Sequence, residues 1–269
     1  MSRSASIWQR FAALPNEHPA KTLLIVFLVA LVCAALVSFT AVQLRPLQEQ
    51  NRRAEREQKL NQMLAALPGL DQLLRDSGAD QLQSRLIDMS SGKTVADAAG
   101  EFDWRLAIQQ AAAGEECLAL PTERDPLAIG CRPNRGQVLL LSQGRALNLL
   151  VLPIYGRGYQ STLHALLVLH GDLNTIAALQ VQEQGETPGL GSRITDPAWL
   201  NRFAGLQLRD ANRQWRFSVR KQAQDPVFEV DTIAGATRSS GTLGRMIEFW
   251  LGAEGYGPLL EQLAKEQGQ

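Results

Sequence analysis

The residues best suited to chemistry lie in one short segment near the end of the chain, Asp231–Ser240, which has the sequence DTIAGATRSS. Its small side chains at 234–236 let another molecule approach the backbone closely. Thr237 offers a hydroxyl, Arg238 offers a cation, and the helix predicted to follow would present its positive dipole end at the same place. Together these features suit a phosphate group. They also fit a tight turn with a purely structural role, and the pattern alone leaves both interpretations open.

A second glycine-rich element, ETPGLG at 186–191, follows a predicted strand. Gly189 and Gly191 allow positive φ angles and close backbone approach, while Pro188 stiffens the entry to the element. Such an element could hold a flat ligand or simply turn a corner. Its residues alone do not decide between the two.

Other kinds of site have little support in the sequence. Neither G-x-S-x-G nor G-x-G-x-x-G occurs, so hydrolase and dinucleotide-dehydrogenase functions are not indicated. Three histidines, with no CxxC and no HExxH, argue against a metal site. The 27 Lys+Arg balance 27 Asp+Glu, which argues against nucleic-acid binding through bulk charge. We therefore predict no catalytic side chain, no metal ligand and no nucleic-acid partner.

The strongest signal about architecture is an uncharged, apolar run from Thr22 to Leu44, bounded by Lys21 and Arg45. As a helix, about 20 such residues span a hydrocarbon core of about 30 Å. A buried core helix seldom runs this long without a polar face, and the apolar region of a cleaved signal peptide is usually about 7–15 residues long. We expect a single uncleaved transmembrane helix over residues 22–44, after a short terminus over residues 1–21.

The flanking charges do not settle which way this helix crosses the membrane. Positive charge is denser after the run than before it, but large domains translocate largely regardless of flanking charge. Residues 45–69 are predicted to form a helical stalk that Pro68-Gly69 ends. Its apolar residues recur at helical spacing: Leu60, Met63, Leu64 and Leu67.

The remaining residues, 70–269, are enough for one domain of ordinary size. Asp103–Ala113 is a predicted helix. Short apolar runs between turn residues are predicted strands: Gln137–Ser142, Asn148–Leu152, Leu163–Leu169, Thr175–Gln182, Trp215–Arg220 and Phe228–Ile233. Together they predict an α+β domain built on a mostly antiparallel sheet.

The clearest helix is predicted near the end of the chain, where one apolar face is formed by Leu243, Met246, Ile247, Trp250 and Leu251. Ser239 or Ser240 is expected to cap its start and Gly252 its end. Pro258 is expected to open a second short helix that runs to about Lys265.

Two of the three cysteines, Cys117 and Cys131, lie in a turn-rich stretch. A disulfide formed in an oxidising compartment and two unrelated thiols are equally consistent with this placement.

Several blocks in this order resemble a known family. They are LVCAALVSFTAVQLRPLQEQ at 31–50, PIYGRGYQS at 153–161, EQGETPGLG at 183–191, DTIAGAT at 231–237 and EFWLGAEGYGPLL at 248–260. The set resembles the NqrC family, whose members are subunits of the sodium-pumping NADH:quinone reductase, a bacterial respiratory complex. More broadly, it resembles the FMN-binding domain shared with RnfG, a component of the Rnf-type complex. Each block is modest, but together they span nearly the whole chain.

The resemblance implies covalently bound FMN. In the family, the FMN phosphate is attached to the threonine that ends the signature D-x-x-[ST]-G-A-T, by a separate flavin transferase with FAD as donor. Thr237 holds that position here, Asp231 holds the leading acidic one, and Ala234 stands where the family usually has Ser or Thr. Gln160 stands where relatives often have Trp. The other expected cofactor contacts are Gly235, Ala236 and Arg238 beside the attachment site, and Thr187, Gly189 and Leu190 against the flavin.

The resemblance also implies a location and a role. It predicts a cytoplasmic N-terminus, a single span in the bacterial inner membrane and a periplasmic FMN-binding domain. The expected function is electron relay between redox centres of a six-subunit translocase that couples NADH-to-ubiquinone electron transfer to Na⁺ export. The expected partners are the other membrane subunits and the flavin transferase. Two alternatives remain: an FMN-binding component of an Rnf-type complex or another extracytoplasmic redox chain, and a non-redox periplasmic scaffold.

Overall fold

The computed structural model of the chain describes residues 19, 23–24, 26–38, 81–95, 103–144 and 146–268. The chain divides into two units, Met1–Met63 and Leu64–Gln269. The described residues of the first unit are helical, and most of their large apolar side chains, from Leu23 to Val37, are exposed. Among the described residues, no helix has both the length and the apolar character needed to cross a membrane.

Several sequence predictions fall on residues that the structure does not describe. The expected span, 22–44, is described only in part. The expected terminus, 1–21, is represented by residue 19 alone, and the stalk, 45–69, lies wholly outside the described residues. The predicted boundary at residue 70 also falls outside them.

The second unit is built on β-strands, most of which the sequence predicted. The strands are β1 (Gln81–Asp88), β2 (Cys117–Ala119), β3 (Cys131–Pro133), β4 (Arg135–Gln143), β5 (Ala146–Arg157), β6 (Thr162–His170), β7 (Ile176–Glu183), β8 (Ser218–Arg220) and β9 (Glu229–Asp231). The main sheet has five antiparallel strands in the order β1-β4-β5-β6-β7. The predicted mostly antiparallel sheet is therefore confirmed. Among the described strands, only β8 and β9 pair in parallel.

Four α-helices accompany these strands in the described part of the second unit: α1 (Trp104–Ala112), α2 (Pro197–Leu200), α3 (Thr237–Trp250) and α4 (Gly257–Glu266). The Asp103 carboxylate caps α1 by accepting the amides of Arg105 and Leu106. The predictions of α1, α3 and α4 are confirmed to within a few residues of their ends. The apolar face predicted for α3 is buried in the core, together with side chains of β4, β5, β6 and β7.

The C-terminal helices are attached to β5 at the point where that strand leaves β4. Beyond Val151, β5 continues to pair with β6 but not with β4. In this stretch the carbonyl of Pro153 accepts a hydrogen bond from the Tyr256 hydroxyl at 2.7 Å. The carbonyl of Tyr155 accepts one from the Trp250 indole at 2.6 Å. These bonds fix α3, and with it the segment that precedes α3, relative to the sheet.

Three sequence predictions need correction. The strand predicted over Trp215–Arg220 is regular only over Ser218–Arg220. Strands β1, β2 and β3 have no counterpart among the predicted strands. The predicted serine caps of α3 are wrong, because the helix already begins at Thr237 and both serines lie inside its first turn.

Two of the cysteines are joined. Cys117 and Cys131 form a disulfide across the β2-β3 pair. The alternative of two unrelated thiols is therefore not what the structure shows.

Candidate functional site

The N-terminus of α3 is exposed and has no side-chain cap. Thr237 is the first residue of the helix, and its side chain is exposed. The residue before it, Ala236, has no side-chain acceptor for the first N–H groups of the helix. Gly235 adopts a φ of +82°, which glycine reaches without strain. An uncapped helix start with its dipole behind it is a favourable place for an anion.

Asp231 anchors the chain that leads into this helix. Its Oδ1 accepts the amide of Ala223 at 2.6 Å, and its Oδ2 accepts the guanidinium of Arg202 at 2.8 Å. Hydrogen bonds from the Ala223 amide and then from Arg202 lower the pKa of the Asp231 carboxyl. Its backbone carbonyl accepts the Trp199 indole N–H at 2.7 Å. Asp231 is therefore an anchor for the segment before α3.

The loop over 187–190 contacts the turn before α3. Gly189 adopts a φ of +74°, and the amide of Leu190 donates to the carbonyl of Thr187 at 3.1 Å, which closes the loop. A Cβ added to Gly235 would lie only 3.5 Å from Leu190 Cδ2. The two glycine-rich elements, far apart in the chain, therefore lie next to each other.

Two large side chains around this helix start are exposed. Tyr159 is 59% exposed and Leu190 is 51% exposed. The guanidinium of Arg238 lies 5.1 Å from the centre of the Tyr159 ring. An apolar, partly aromatic surface next to a cation and a free helix start suits a planar heterocycle that carries a phosphate.

Glu186 holds these pieces together, and no sequence pattern indicated it. Its side chain is buried, with only 4% of the residue exposed. Its Oε1 accepts the amides of Gln160 at 3.0 Å and Ser161 at 3.1 Å, together with the Ser161 hydroxyl at 3.2 Å. Its Oε2 accepts the Ser239 hydroxyl at 2.6 Å and the Tyr159 amide at 3.3 Å.

The hydrogen bonds around Glu186 favour its ionised form despite its burial. Burial by itself would raise the pKa of this carboxyl, but the hydrogen bonds from Ser239 and from the amides of Gln160 and Ser161 outweigh burial. The net result is a lowered pKa. The site therefore contains a buried anion on the inner side of an exposed, electropositive helix start.

Comparison with known proteins identifies the family. The FMN-binding domain family matches residues 158–252. The C subunit of the Na(+)-translocating NADH-quinone reductase of Vibrio vulnificus is 32% identical over 250 residues, which cover 92% of this chain and 96% of that protein. The chain belongs to the NqrC family. The FMN-binding match begins at Gly158 and ends at Gly252, so it contains the segment 159–161, the loop over 187–190 and α3.

Solved structures of NqrC proteins have the same fold. The crystal structure of Shewanella oneidensis NqrC is 31% identical, with a TM-score of 0.61, and the likeness covers 71% of this chain and 88% of that one. The crystal structure of the corresponding protein from Parabacteroides distasonis is 22% identical, with a TM-score of 0.53 over 81% of this chain and 96% of that one, and it supports the fold alone.

The structure brings most of the predicted site residues together. The turn residues Gly235 and Ala236 directly precede Thr237, and Arg238 follows it within the first turn of α3. The loop that contains Thr187, Gly189 and Leu190 contacts this turn. Asp231 is held apart, by its contacts to Arg202 and Ala223.

Gln160, where relatives often carry Trp, lies on the turn that Glu186 holds. It lines a concavity of about 320 Å³ together with Ser161 and Thr162. The backbone amide of Gln160 donates to Glu186, and this contribution to the site does not depend on the Gln160 side chain.

Proposed function

We propose that this chain is the FMN-carrying subunit of a Na⁺-translocating NADH-quinone reductase, in which it relays electrons between redox centres of the complex. The observation that carries the proposal is the exposed Thr237 at the uncapped start of α3. Thr237 directly follows the turn at Gly235 and Ala236, which lies next to the loop over 187–190. When bound, FMN supplies the electron-transfer chemistry, and the protein supplies position and electrostatics. No side chain is then needed as a general acid or base.

We propose that FMN is bound covalently, through its phosphate, to the Thr237 oxygen. The attachment uses FAD and a flavin transferase. The Thr237 oxygen forms a bond to the phosphorus of the FMN half, the pyrophosphate bond of FAD breaks, and AMP leaves. The hydroxyl proton passes to a base of the transferase or to solvent. Because Thr237 is exposed at the end of a helix, it is accessible to a second enzyme.

The described residues support this role in three ways. The free N–H groups at the start of α3 and the guanidinium of Arg238 stabilise a phosphodiester charge at Thr237. The exposed side chains of Leu190 and Tyr159 offer apolar surface for the flavin ring. Asp231 keeps the segment before Thr237 in place through Arg202.

We further propose that the protein is a single-pass protein of the bacterial inner membrane, with its FMN-binding domain in the periplasm. In this arrangement, residues 1–21 are cytoplasmic, residues 22–44 span the membrane, residues 45–69 form a stalk and residues 70–269 form the periplasmic domain. The uncharged run and the exposed apolar side chains of helical residues 26–38 support the span. The disulfide Cys117–Cys131 supports an oxidising compartment. The partners would be the other members of a complex of six subunits, and the flavin transferase during maturation.

The test is covalent flavin on the full chain. The chain is expressed with the flavin transferase, denatured and run on a gel, and flavin fluorescence is expected at its mass. Thr237→Ala should abolish the fluorescent band. Thr232→Ala, which removes a hydroxyl from a partly buried residue of the same segment, should retain it. Absence of a band from the unmodified chain, or a band that persists in Thr237→Ala, would contradict the proposal.

A further inference from the structure

We propose that Glu186 is a positioning residue for the flavin. It fixes the loop over 187–190, the turn over 159–161 and the first turn of α3 relative to one another. It also places a buried negative charge against the first turn of α3, where the cofactor would be attached. The inference rests on the proposed attachment of FMN at Thr237 and adds a residue that sets how fast the flavin is attached and at what potential it works.

The first argument is the number and origin of the donors. Three consecutive amides, those of Tyr159, Gln160 and Ser161, donate to the carboxylate of Glu186. Successive backbone N–H groups that converge on one point form an anion-binding concavity. Here the concavity binds a side chain of the same protein. The turn at 159–161 is therefore shaped around Glu186.

The second argument is the link from Glu186 to the attachment helix. The hydroxyl of Ser239 donates to Glu186 Oε2 at 2.6 Å, and Ser239 lies two residues after Thr237, in the first turn of α3. Hydrogen bonds to a charged acceptor are shorter and stronger than those between neutral groups. Glu186 also immediately precedes the loop that ends at Leu190. One side chain thus connects both glycine-rich elements of the site.

The third argument is the space reserved for this side chain. A Cβ at Gly158 would lie 2.6 Å from Glu186 Oε1. A Cβ at Gly191 would lie 2.8 Å from Glu186 Cβ and 2.9 Å from both Glu186 Oε2 and Ser239 Oγ. Neither glycine has a positive φ, so their role is to make room. Two glycines from separate segments accommodate the one buried carboxylate.

The fourth argument concerns charge. Among the described residues, no Lys, Arg or His forms a salt bridge with Glu186, and its hydrogen-bond donors are uncharged hydroxyls and amides. A buried anion without a countercharge acts on its surroundings more strongly than a solvated one. Reduction of a flavin adds negative charge, so the Glu186 carboxylate should hold the flavin potential below the value it would otherwise have.

The experiment uses the full chain expressed with the flavin transferase. Glu186→Gln keeps the shape of the side chain but removes the charge and one acceptor oxygen. A displacement of about 1 Å between reacting groups can cost about 100-fold in rate, so we expect flavin attachment to slow by at least about tenfold. The flavin that does attach should have a more positive midpoint potential. Glu183→Gln is the matched control, because Glu183 is an exposed glutamate three residues earlier that pairs with Arg105 at the surface. It should change neither quantity.

A second variant separates position from charge and covers a failure of Glu186→Gln to fold. Ser239→Ala retains the carboxylate but removes its link to α3, so attachment should slow while the midpoint potential stays near that of the unmodified chain. Attachment at the unmodified rate in folded Glu186→Gln, or in Ser239→Ala, would overturn the positioning role. An unchanged potential in Glu186→Gln would overturn the electrostatic role. If the unmodified chain itself carries no flavin, the proposed function fails, and this inference fails with it.

Discussion

Replacing Gly191 with alanine tests how tightly the site is packed around Glu186. Gly191 does not have a positive φ, so alanine is compatible with its backbone and the effect is steric. The new Cβ would lie 2.8 Å from Glu186 Cβ, whereas carbon atoms pack at about 3.5–4.0 Å. It would also lie 2.9 Å from the Ser239 hydroxyl oxygen. The methyl group therefore has to displace either Glu186 or the first turn of α3.

The size of the effect follows from these contacts. Overpacking a filled interior costs about 1–3 kcal/mol. If Glu186 moves away from Ser239, a hydrogen bond to a charged group is weakened as well, and such bonds contribute about 1.5–3 kcal/mol. Because movement relieves part of the overlap, we do not add the two ranges in full. We expect Gly191→Ala to lower the free energy of unfolding by about 3 kcal/mol.

The measurement is urea unfolding of the full chain in detergent, followed by tryptophan fluorescence. Gly241→Ala is the matched control, because a Cβ at Gly241 meets nothing closer than Arg245 Nη1 at 3.6 Å. Gly241 lies within α3, so this change should raise stability by about 0.5–1 kcal/mol. If Gly191→Ala unfolds within about 0.5 kcal/mol of the unmodified chain, the packing argument is refuted.

Four further predictions concern the stability of the domain. Tyr256→Phe should cost about 1–3 kcal/mol in urea unfolding, since it leaves the buried carbonyl of Pro153 without its hydroxyl donor. Tyr155→Phe should cost little, because the buried Tyr155 hydroxyl has no hydrogen-bond partner among the described residues. Replacing both Cys117 and Cys131 with alanine should cost about 3 kcal/mol in the same assay, as expected for a closed loop of about 15 residues. The pKa of Glu186 is lowered in the folded protein, so its contribution to stability is complete above the pKa of an unfolded glutamate, about 4.3. That contribution is lost as the pH falls through the pKa of Glu186 in the folded protein. The loss of stability on acidification should therefore be less steep in Glu186→Gln.

The sequence predicted best those strands whose own residues form an apolar run and so indicate burial by themselves. In β5 and β6 about two thirds of the residues are buried, in continuous central stretches, so each contains an apolar run that the sequence shows, although the prediction of 148–152 covered less than half of β5. Strand β1 was missed because it is an edge strand with polar and charged residues, QLQSRLID, interspersed with apolar ones. Its pairing with β4 depends on a partner some 50 residues away, which a local pattern does not contain.

The caps of α3 were assigned wrongly for a similar reason. Serine before an apolar helix face usually indicates a cap. Here the hydroxyl of Ser239 donates to Glu186, 53 residues earlier in the chain. The hydroxyl of Ser240 donates to the carbonyl of Ala236 and accepts the amide of Ile233. Local pattern cannot show that a distant acceptor competes for a hydroxyl.

Glu186 lies within one of the blocks that resemble the family, yet its sequence context indicated no role for it. An acidic residue in the polar run EQGET is normally solvent-exposed, and nothing nearby in sequence indicates burial. The available signal was indirect: glycines at 158 and 191, one in each of two blocks, leave space that only a third residue would fill. The family resemblance predicted that the loop contacts the ligand, but it could not identify which side chain holds the loop.

The placement of Glu186 resolves a conflict between rigidity and access at this site. Under the proposed attachment, Thr237 receives its cofactor from another enzyme and has to be exposed, and the Thr237 residue is exposed. A flavin that exchanges electrons with fixed partners must be held rigidly, and an exposed helix end is held by few contacts of its own. Glu186 reaches the first turn of α3 from the buried side through Ser239 and leaves the outer N–H groups of the helix free. Glu186 holds the turn over 159–161 and the loop over 187–190 through contacts within the protein, so in the proposed flavoprotein the cofactor would not have to supply the entropy of ordering them. A carboxylate suits this role better than an apolar residue, because its two oxygens can accept from three amides and two hydroxyls at one buried point.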